Sequence, residues 1–130
     1  MKRRRRRASK LLLGTLLAAA IIGPIAAAAN GQIALTPARA YPAARGGAQY
    51  QAQPGQRELQ VEVEHIRSLA GRPVLIFVNG AKVGVARVTR RGVAELHRNT
   101  ERGQGVPRIR AGGTVRVRTT HGALIVTGSF

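Results

Sequence analysis

The chain has 130 residues, including 22 Lys and Arg and 5 acidic residues that are all Glu, so its formal net charge is +17. This length suits one small folded domain preceded by an N-terminal segment. Because the chain has no Cys, disulfides, thiolate nucleophiles and Cys-ligated zinc are excluded. Because it has no Asp, Asp-centred catalysis and most calcium-binding loops are excluded as well.

Residues 1–40 have the layout of a secretory signal peptide. Seven cations within the first ten residues precede an uncharged run at 11–29, and small residues follow. This layout predicts export to the cell envelope or the medium, with the cations remaining on the cytoplasmic side. We predict cleavage after Ala40, or earlier near Ala28. The alternative is a membrane anchor formed by uncleaved 11–29, which is long enough to span a bilayer.

Residues 41–56 consist mainly of Pro, Ala, Gly and Gln and contain one charged residue. They show no evident period of two or of 3.6 residues, so we predict a flexible linker. The β-domain is then expected to occupy residues 57–130.

The first predicted strand runs from Glu58 to Glu64, where polar and apolar residues alternate and one face should be packed. Next comes the apolar run Val74 to Val78, followed by Asn79-Gly80, a dipeptide typical of two-residue hairpin turns. A two-residue turn predicts a register in which apolar residues face each other. The predicted pairs are Val78 with Ala81, Ile76 with Val83, and Val74 with Val85.

Further short strands are expected between Gly-rich and Pro-rich turns, at 83–89, 93–98, 106–110, 114–119 and 123–127. Six or seven such strands, with no helical stretch after the leader, predict an all-β fold, a small antiparallel β-sandwich or barrel. The predicted core consists of Leu59, Val61, Val63, Ile66, Ile76, Val78, Val83, Val85, Leu96, Ile109, Val115, Val117, Leu124 and Val126.

No motif for catalysis or for metal binding is present in the sequence. Serine occurs without a nucleophile-elbow motif, and the His residues lack the close spacing of metal ligands. A metal-binding or enzymatic site would require His65, His97 or His121 to converge with Glu64 or Glu95. We therefore predict no catalytic residue, no metal and no cofactor.

Three carboxylates, those of Glu58, Glu62 and Glu64, should share the solvent-facing side of the first predicted strand. Paired carboxylates suit acid-base catalysis or cation binding. We favour a solvated strand face whose charge is balanced by arginines on a neighbouring strand.

The most distinctive feature of the predicted domain is its arginine content. Arg116 and Arg118 alternate with valines and should project from one face, and Arg108 and Arg110 flank Ile109 in the same way. Adjoining faces of this kind would bind phosphates, carboxylates or sulfates through bidentate guanidinium contacts. The candidate binding residues are Arg87, Arg90, Arg91, Arg98, Arg108, Arg110, Arg116 and Arg118.

The partners expected for such a surface are an anionic polysaccharide, an envelope polymer or a nucleic-acid backbone. Base-specific recognition is not expected because the predicted domain has only two aromatic residues, Phe77 and Phe130. Contact with a membrane is expected only transiently, through the signal peptide. The alternative is a structural or protein-interaction module whose arginines serve solubility and which binds no polyanion.

Several turn segments resemble those of small exported bacterial β-sandwich domains of unassigned activity. The segments are 67–71 (RSLAG), the hairpin around Asn79-Gly80, 105–112 with its Gly-Val-Pro and Ala-Gly, and the closing Gly128-Ser129-Phe130. The resemblance covers most of 58–130. It implies the fold and export, and it implies no activity.

Overall fold

Eight β-strands build one antiparallel sheet in this structure, a computed structural model that describes residues 28–130. Their order across the sheet is β5-β4-β7-β8-β1-β2-β3-β6. Two 3₁₀ helices, Arg67–Leu69 and Thr100–Arg102, lie in the connections. The strands are β1 (Gly31–Pro37), β2 (Arg45–Gln53), β3 (Gln56–Glu64), β4 (Pro73–Val78), β5 (Ala81–Arg87), β6 (Ala94–Asn99), β7 (Thr114–Thr119) and β8 (Leu124–Ser129).

The sheet curls until its two edge strands, β5 and β6, lie side by side. A Cβ added at Gly84 in β5 would lie 2.8 Å from both Cδ atoms of Leu96 in β6. Side-chain contacts therefore close the seam between β5 and β6. Within residues 28–130, β5 forms its ladder of backbone hydrogen bonds with β4, and β6 forms its ladder with β3. The predicted all-β antiparallel fold is confirmed, with eight strands instead of six or seven, in a nearly closed barrel.

The predicted boundaries of the domain are wrong, because the folded part begins well before residue 57. The predicted linker 41–56 contains β2, which pairs with β1 on one side and with β3 on the other. A period of two is present in β2, where Ala48, Tyr50 and Ala52 alternate with glutamines. Its inward positions hold mostly small residues instead of branched ones, which is why the alternation is weak in the sequence.

The final part of the predicted leader also lies in the sheet, because residues 31–37 form β1. Residues 1–27, with the basic start and most of the predicted anchor 11–29, lie outside the described residues. From residue 28 onwards, none of the helices is both long enough and apolar enough to cross a bilayer.

Strand β1 joins the two halves of the barrel. Its residues 31–35 pair with β2, and its last two residues pair with β8. Leu35, at the changeover, is 4% exposed and occupies the space that Gly46 and Gly128 leave by having no side chain. Loss of β1 would remove a hydrogen-bonded neighbour from both β2 and β8.

The predicted hairpin turn is confirmed, with φ values of 50° at Asn79 and 84° at Gly80. The predicted register holds only for the first pair, because a β-bulge at Val83 shifts the rest of β5 by one residue. Beyond the bulge, Ile76 faces Gly84, Val74 faces Ala86 and Val85 faces Leu75.

A second irregularity lies in β8, where Ile125 is the extra residue and Leu124 faces Arg118. Val85 and Leu124, both predicted for the core, thus lie on the outer side of the barrel, and Val83 is only partly buried. The remaining eleven predicted core residues are buried. The bulges explain the exceptions because one extra residue moves its neighbour to the opposite face.

The segment predicted as an extended strand at 106–110 instead closes one end of the barrel. Beneath it lies Tyr50, which is 1% exposed and missing from the predicted core. The Tyr50 hydroxyl donates to the Pro107 carbonyl and accepts from the Ile109 N–H, each at 3.2 Å. The Tyr50 ring also meets Phe130 edge-on, with 6.2 Å between ring centroids.

Candidate functional site

The eight candidate arginines occupy three regions of the barrel. Arg87, Arg116 and Arg118 lie on the outer side of β5 and β7. Arg90 and Arg91 are exposed in the turn that follows β5. The others, Arg98, Arg108 and Arg110, belong to the end of the barrel that residues 103–110 close. The structure therefore brings together only part of the predicted set.

The outer side of β4, β5, β7 and β8 is here called the basic face. Ladder register places its side chains in rows across the four strands, about 4.8 Å apart from strand to strand. One row, from β5 to β8, is Lys82, Phe77, Arg116 and Thr127. The next is Val85, Leu75, Arg118 and Leu124. Pro73, Arg87, Thr114 and Ser129 complete the face, which contains no carboxylate side chain.

Two arginines of the basic face are hydrogen-bonded to nearby backbone. Arg118 donates from Nη1 to the Gly122 carbonyl of its own hairpin at 3.0 Å, and Arg87 donates from Nη1 to the Gly71 carbonyl. These contacts orient the two guanidinium groups along the surface while other N–H donors of each group stay available. Arg116 is exposed, and no residue from 28 onwards accepts a hydrogen bond from its side chain.

Arg98 is the candidate that the structure separates most clearly from the basic face. In β6 it faces Leu59, so its side chain leaves from the inner side of the sheet, and its Nε donates to the Gly105 carbonyl at 3.0 Å. Arg57 likewise donates from Nε to the Val106 carbonyl at 2.8 Å. Both guanidinium groups therefore hold the closing segment 103–107 in place, a role that the sequence did not indicate for Arg57.

Arg108 and Arg110 are exposed on either side of buried Ile109, as predicted. They border two open concavities at the closed end, one lined also by Asn79 and the other by Tyr50 and residues of the β2–β3 turn. Neither concavity is enclosed. No charged side chain in the lining is buried, so this end has no enclosed binding pocket.

The opposite half of the barrel presents the acidic face, defined as the outer side of β1, β2, β3 and β6. Glu58, Glu62 and Glu64 share it, as predicted for one solvent-facing side of a strand. Glu95 in β6 lies directly across from Glu62. Its other outward residues are Gln32, Ala34, Thr36, Arg45, Gly47, Gln49, Gln51, Gln53, Gln60, His97 and Asn99.

The predicted balance between these carboxylates and neighbouring arginines is limited to one position. Arg45, opposite Glu64, is the one cation in the β2–β3 and β3–β6 ladders on this face. Both ion pairs found within residues 28–130 join Glu to His, and neither involves Arg or Lys. His97 Nε2 contacts the Glu58 carboxylate across β3 and β6.

Glu62 shows the electrostatic consequence of this crowding. Partial desolvation raises the pKa of the Glu62 carboxyl above its ordinary value of 4.5, and the Glu64 and Glu95 carboxylates add to the increase. The Glu62 carboxyl lies on an exposed, crowded surface, and no enclosed cavity surrounds it.

The three histidines are not brought together by the fold. His65 follows β3, His97 lies within β6, and His121 lies in the β7–β8 turn. In the part of the chain that the structure describes, no group of three His or Glu side chains is arranged to hold a metal ion.

Comparison with known proteins adds no relative from which a role could be transferred. No protein-family model matches the sequence, and no curated protein is significantly similar to it. The basic face is therefore the candidate functional site on the evidence of its own charges and geometry.

Proposed function

We propose that this protein is an exported, non-enzymatic β-barrel domain that binds anionic polymers of the cell envelope or its surroundings through the basic face. The observation that supports this proposal is the separation of charge between the two faces. Four of the five glutamates lie on the acidic face, while Lys82, Arg87, Arg116 and Arg118 share the basic face with no carboxylate. Cations that serve only solubility need no such separation.

The geometry of β7 suits a repeating anion. Arg116 and Arg118 project from the same side of one strand, about 6.5–7 Å apart along it. A guanidinium group binds a phosphate, sulfate or carboxylate through two parallel hydrogen bonds. Hydrogen bonding to β4 and β8 holds β7 in place, so the two groups are presented in a fixed order. The partners are an anionic polysaccharide, an envelope polymer or a nucleic-acid backbone.

Recognition of nucleic-acid bases is not part of the proposal. Of the two phenylalanines, Phe130 packs against buried Tyr50, and only Phe77 lies on the basic face. One half-buried ring is a poor platform for stacking successive bases.

Retention on a heparin column across a salt gradient tests the proposal. The full chain is compared with the double variant Arg116→Ala with Arg118→Ala and with a control, Arg45→Ala with Arg102→Ala, that removes the same charge elsewhere. All three proteins share the basic N-terminus, so differences between them report only on the folded surface. We expect the first variant to elute at clearly lower salt than the control, with unchanged circular dichroism.

Equal elution of the two double variants would overturn the proposal. It would show that net charge, and not the basic face, sets retention. The alternative, a structural or protein-interaction module without polyanion binding, would then account better for the fold.

Export is the second part of the proposal, and the position of β1 bears on the cleavage site. Cleavage after Ala40 would remove β1 from the middle of the sheet, whereas cleavage near Ala28 keeps all eight strands. We therefore propose that cleavage occurs near Ala28 and not after Ala40. N-terminal sequencing and the intact mass of the protein recovered outside the cell test this assignment, and a start at Tyr41 or the full-length mass would contradict it.

A further inference from the structure

The basic face differs from the acidic face in a second way, independent of charge. It carries the apolar side chains of Pro73, Leu75, Phe77, Val85 and Leu124. The outward positions of the acidic face, as far as residues 28–130 are concerned, hold no apolar side chain larger than Ala34. Among residues 28–130, Val85 is the one large hydrophobic residue that is exposed, with 50% exposure.

Two β-bulges add two aliphatic side chains to this apolar patch, whose other members lie on β4. The extra residue Val83 in β5 turns Val85 outward, and the extra residue Ile125 in β8 turns Leu124 outward. Both side chains arrive in the same row, with Leu75 and Arg118 between them. Bulges commonly re-aim side chains next to functional sites. Here, Val85 is left half exposed and Leu124 half-buried on the outer side, while the extra residue Ile125 is fully buried.

We infer that the basic face docks on the surface of an anionic phospholipid bilayer, with Val85, Leu75 and Leu124 entering between the headgroups. The inference rests on the proposed binding of anions by the basic face, and it goes beyond the polymers proposed above and beyond the transient membrane contact expected through the signal peptide by naming a lipid phosphate. A bilayer surface offers both components that the face requires, phosphates for Arg116 and Arg118 and acyl chains for the aliphatic row. A soluble polysaccharide or nucleic-acid backbone offers only the anions and would leave Val85 in water.

The row is the right shape for this contact. Four adjacent strands at about 4.8 Å spacing place Val85 and Leu124 roughly 14 Å apart, with Arg118 between Leu75 and Leu124. Arg116 and Lys82 follow in the next row, about 6.5–7 Å along the strands. Aliphatic tips surrounded by cations match the boundary between acyl chains and phosphates.

A single tryptophan can report on this docking, because the natural chain has none. The full chain is prepared with Val85→Trp, on the basic face, and separately with Gln49→Trp, on the acidic face. Each is mixed with vesicles of equal parts phosphatidylglycerol and phosphatidylcholine, or of phosphatidylcholine alone. We expect Trp fluorescence to move to shorter wavelength only for Val85→Trp and only with the anionic vesicles. The Gln49→Trp control separates docking of this face from attachment through the shared N-terminus.

Two further variants connect the lipid to the arginines. In the Val85→Trp chain, Arg116→Ala with Arg118→Ala should raise the lipid concentration that gives half of the wavelength change about thirtyfold, since each cation near an anionic bilayer strengthens binding about fivefold. With Val85→Trp as the reporter, Leu124→Thr should reduce the wavelength change on anionic vesicles while heparin retention is unchanged. Circular dichroism and thermal unfolding verify that each variant is folded.

The outcomes separate this inference from the proposed function. Heparin retention that depends on the arginine pair, together with no wavelength change for Val85→Trp, would overturn the lipid surface and leave polyanion binding in place. An equal change at both tryptophans would also overturn it. If neither heparin retention nor the vesicle response depended on Arg116 and Arg118, both the lipid inference and the proposed polyanion binding would be overturned.

Discussion

The two halves of the barrel share one aliphatic interior and present different outer surfaces. On the acidic face, β1, β2, β3 and β6 display amides and carboxylates, and Glu62 lies directly opposite Glu95. On the basic face, β4, β5, β7 and β8 display cations and aliphatic side chains, with Arg118 next to Leu75. The inner positions of both halves are alike, with Val61 and Val117 each at most 1% exposed.

The fold and the candidate site therefore depend on alternate residues of the same strands. Because successive side chains point to opposite sides of a strand, inner positions can satisfy the core while outer ones vary independently. Hydrogen-bonded ladders then hold the outer side chains in rows. An ordered array of cations is available without a pocket, which suits an extended partner better than a small ligand.

The largest expected effect is at the junction between the halves. Leu35→Ala should lower the free energy of unfolding by about 2–5 kcal/mol, because it leaves a cavity between Gly46 and Gly128 where β1 changes partners. Chemical denaturation measures the change. Thr36→Ala, on the outer side of the same strand, is the control and should change stability by less than about 0.5 kcal/mol. Two separate unfolding transitions in the Leu35 variant would contradict a single shared core.

At the seam where β5 meets β6, Gly84→Ala should lower the free energy of unfolding by about 1–3 kcal/mol. The added Cβ would lie 2.8 Å from the Leu96 methyl groups, so either the Leu96 side chain or the two edge strands must shift. A double-mutant cycle with Leu96→Ala tests the cause, since the combined cost should be smaller than the sum of the single costs. Additive costs would place the strain elsewhere.

The charge of the acidic face can be reversed without adding apolar residues to it. Glu62→Lys with Glu95→Lys gives the acidic face two cations and no aliphatic row. We expect this double variant to elute from heparin at higher salt than the natural chain. With Gln49→Trp added, its fluorescence should still not change on anionic vesicles. A change there would show that cations alone are sufficient for insertion and would remove the distinction between the two faces.

The smallest expected effect concerns the pH dependence of the acidic face. The raised pKa of Glu62 means that the folded protein holds this proton more tightly than the unfolded chain. The ionised carboxylate therefore destabilises the fold once the pH has risen through the raised pKa, and it has no effect well below 4.5, where both states are protonated.

Glu62→Gln should accordingly raise the free energy of unfolding at pH 7 by about 0.3 kcal/mol, and the gain should vanish at acidic pH. Denaturation curves at several pH values measure it. Glu101→Gln removes the same charge away from this cluster and serves as the control. A gain that persists at low pH would assign the effect to the amide itself instead of the charge.

Local patterns predicted part of this molecule well. The alternation from Glu58 to Glu64 predicted β3 and its exposed carboxylates, and Asn79-Gly80 predicted the β4–β5 turn. Strand β2 was missed because Ala and Gly in its inner positions give little hydrophobic contrast with its glutamines. The outward position of Val85 was missed because a bulge leaves no signal in the alternation of one strand.

The candidate site was predicted in its residue types and only partly in its membership. Arg116 and Arg118 share a face because residues two apart in a strand always do. Arg98 was included because it is near other arginines in the sequence, yet its position in β6 directs it to the closing segment. Which arginines adjoin depends on strand order, and strand order is not a local property.

Local sequence patterns were enough to predict short strands and one tight turn, and composition alone gives a threefold excess of cations over carboxylates from residue 28 onwards. Strand order and bulges, which depend on the assembled barrel, placed four of the five glutamates on one side and put Arg118 among aliphatic side chains on the other. These two kinds of information differ in the distance along the chain over which they act. Alternation and turn geometry act over a few residues, whereas β1 pairs with β8 and β3 with β6 only once the whole barrel has assembled around its core.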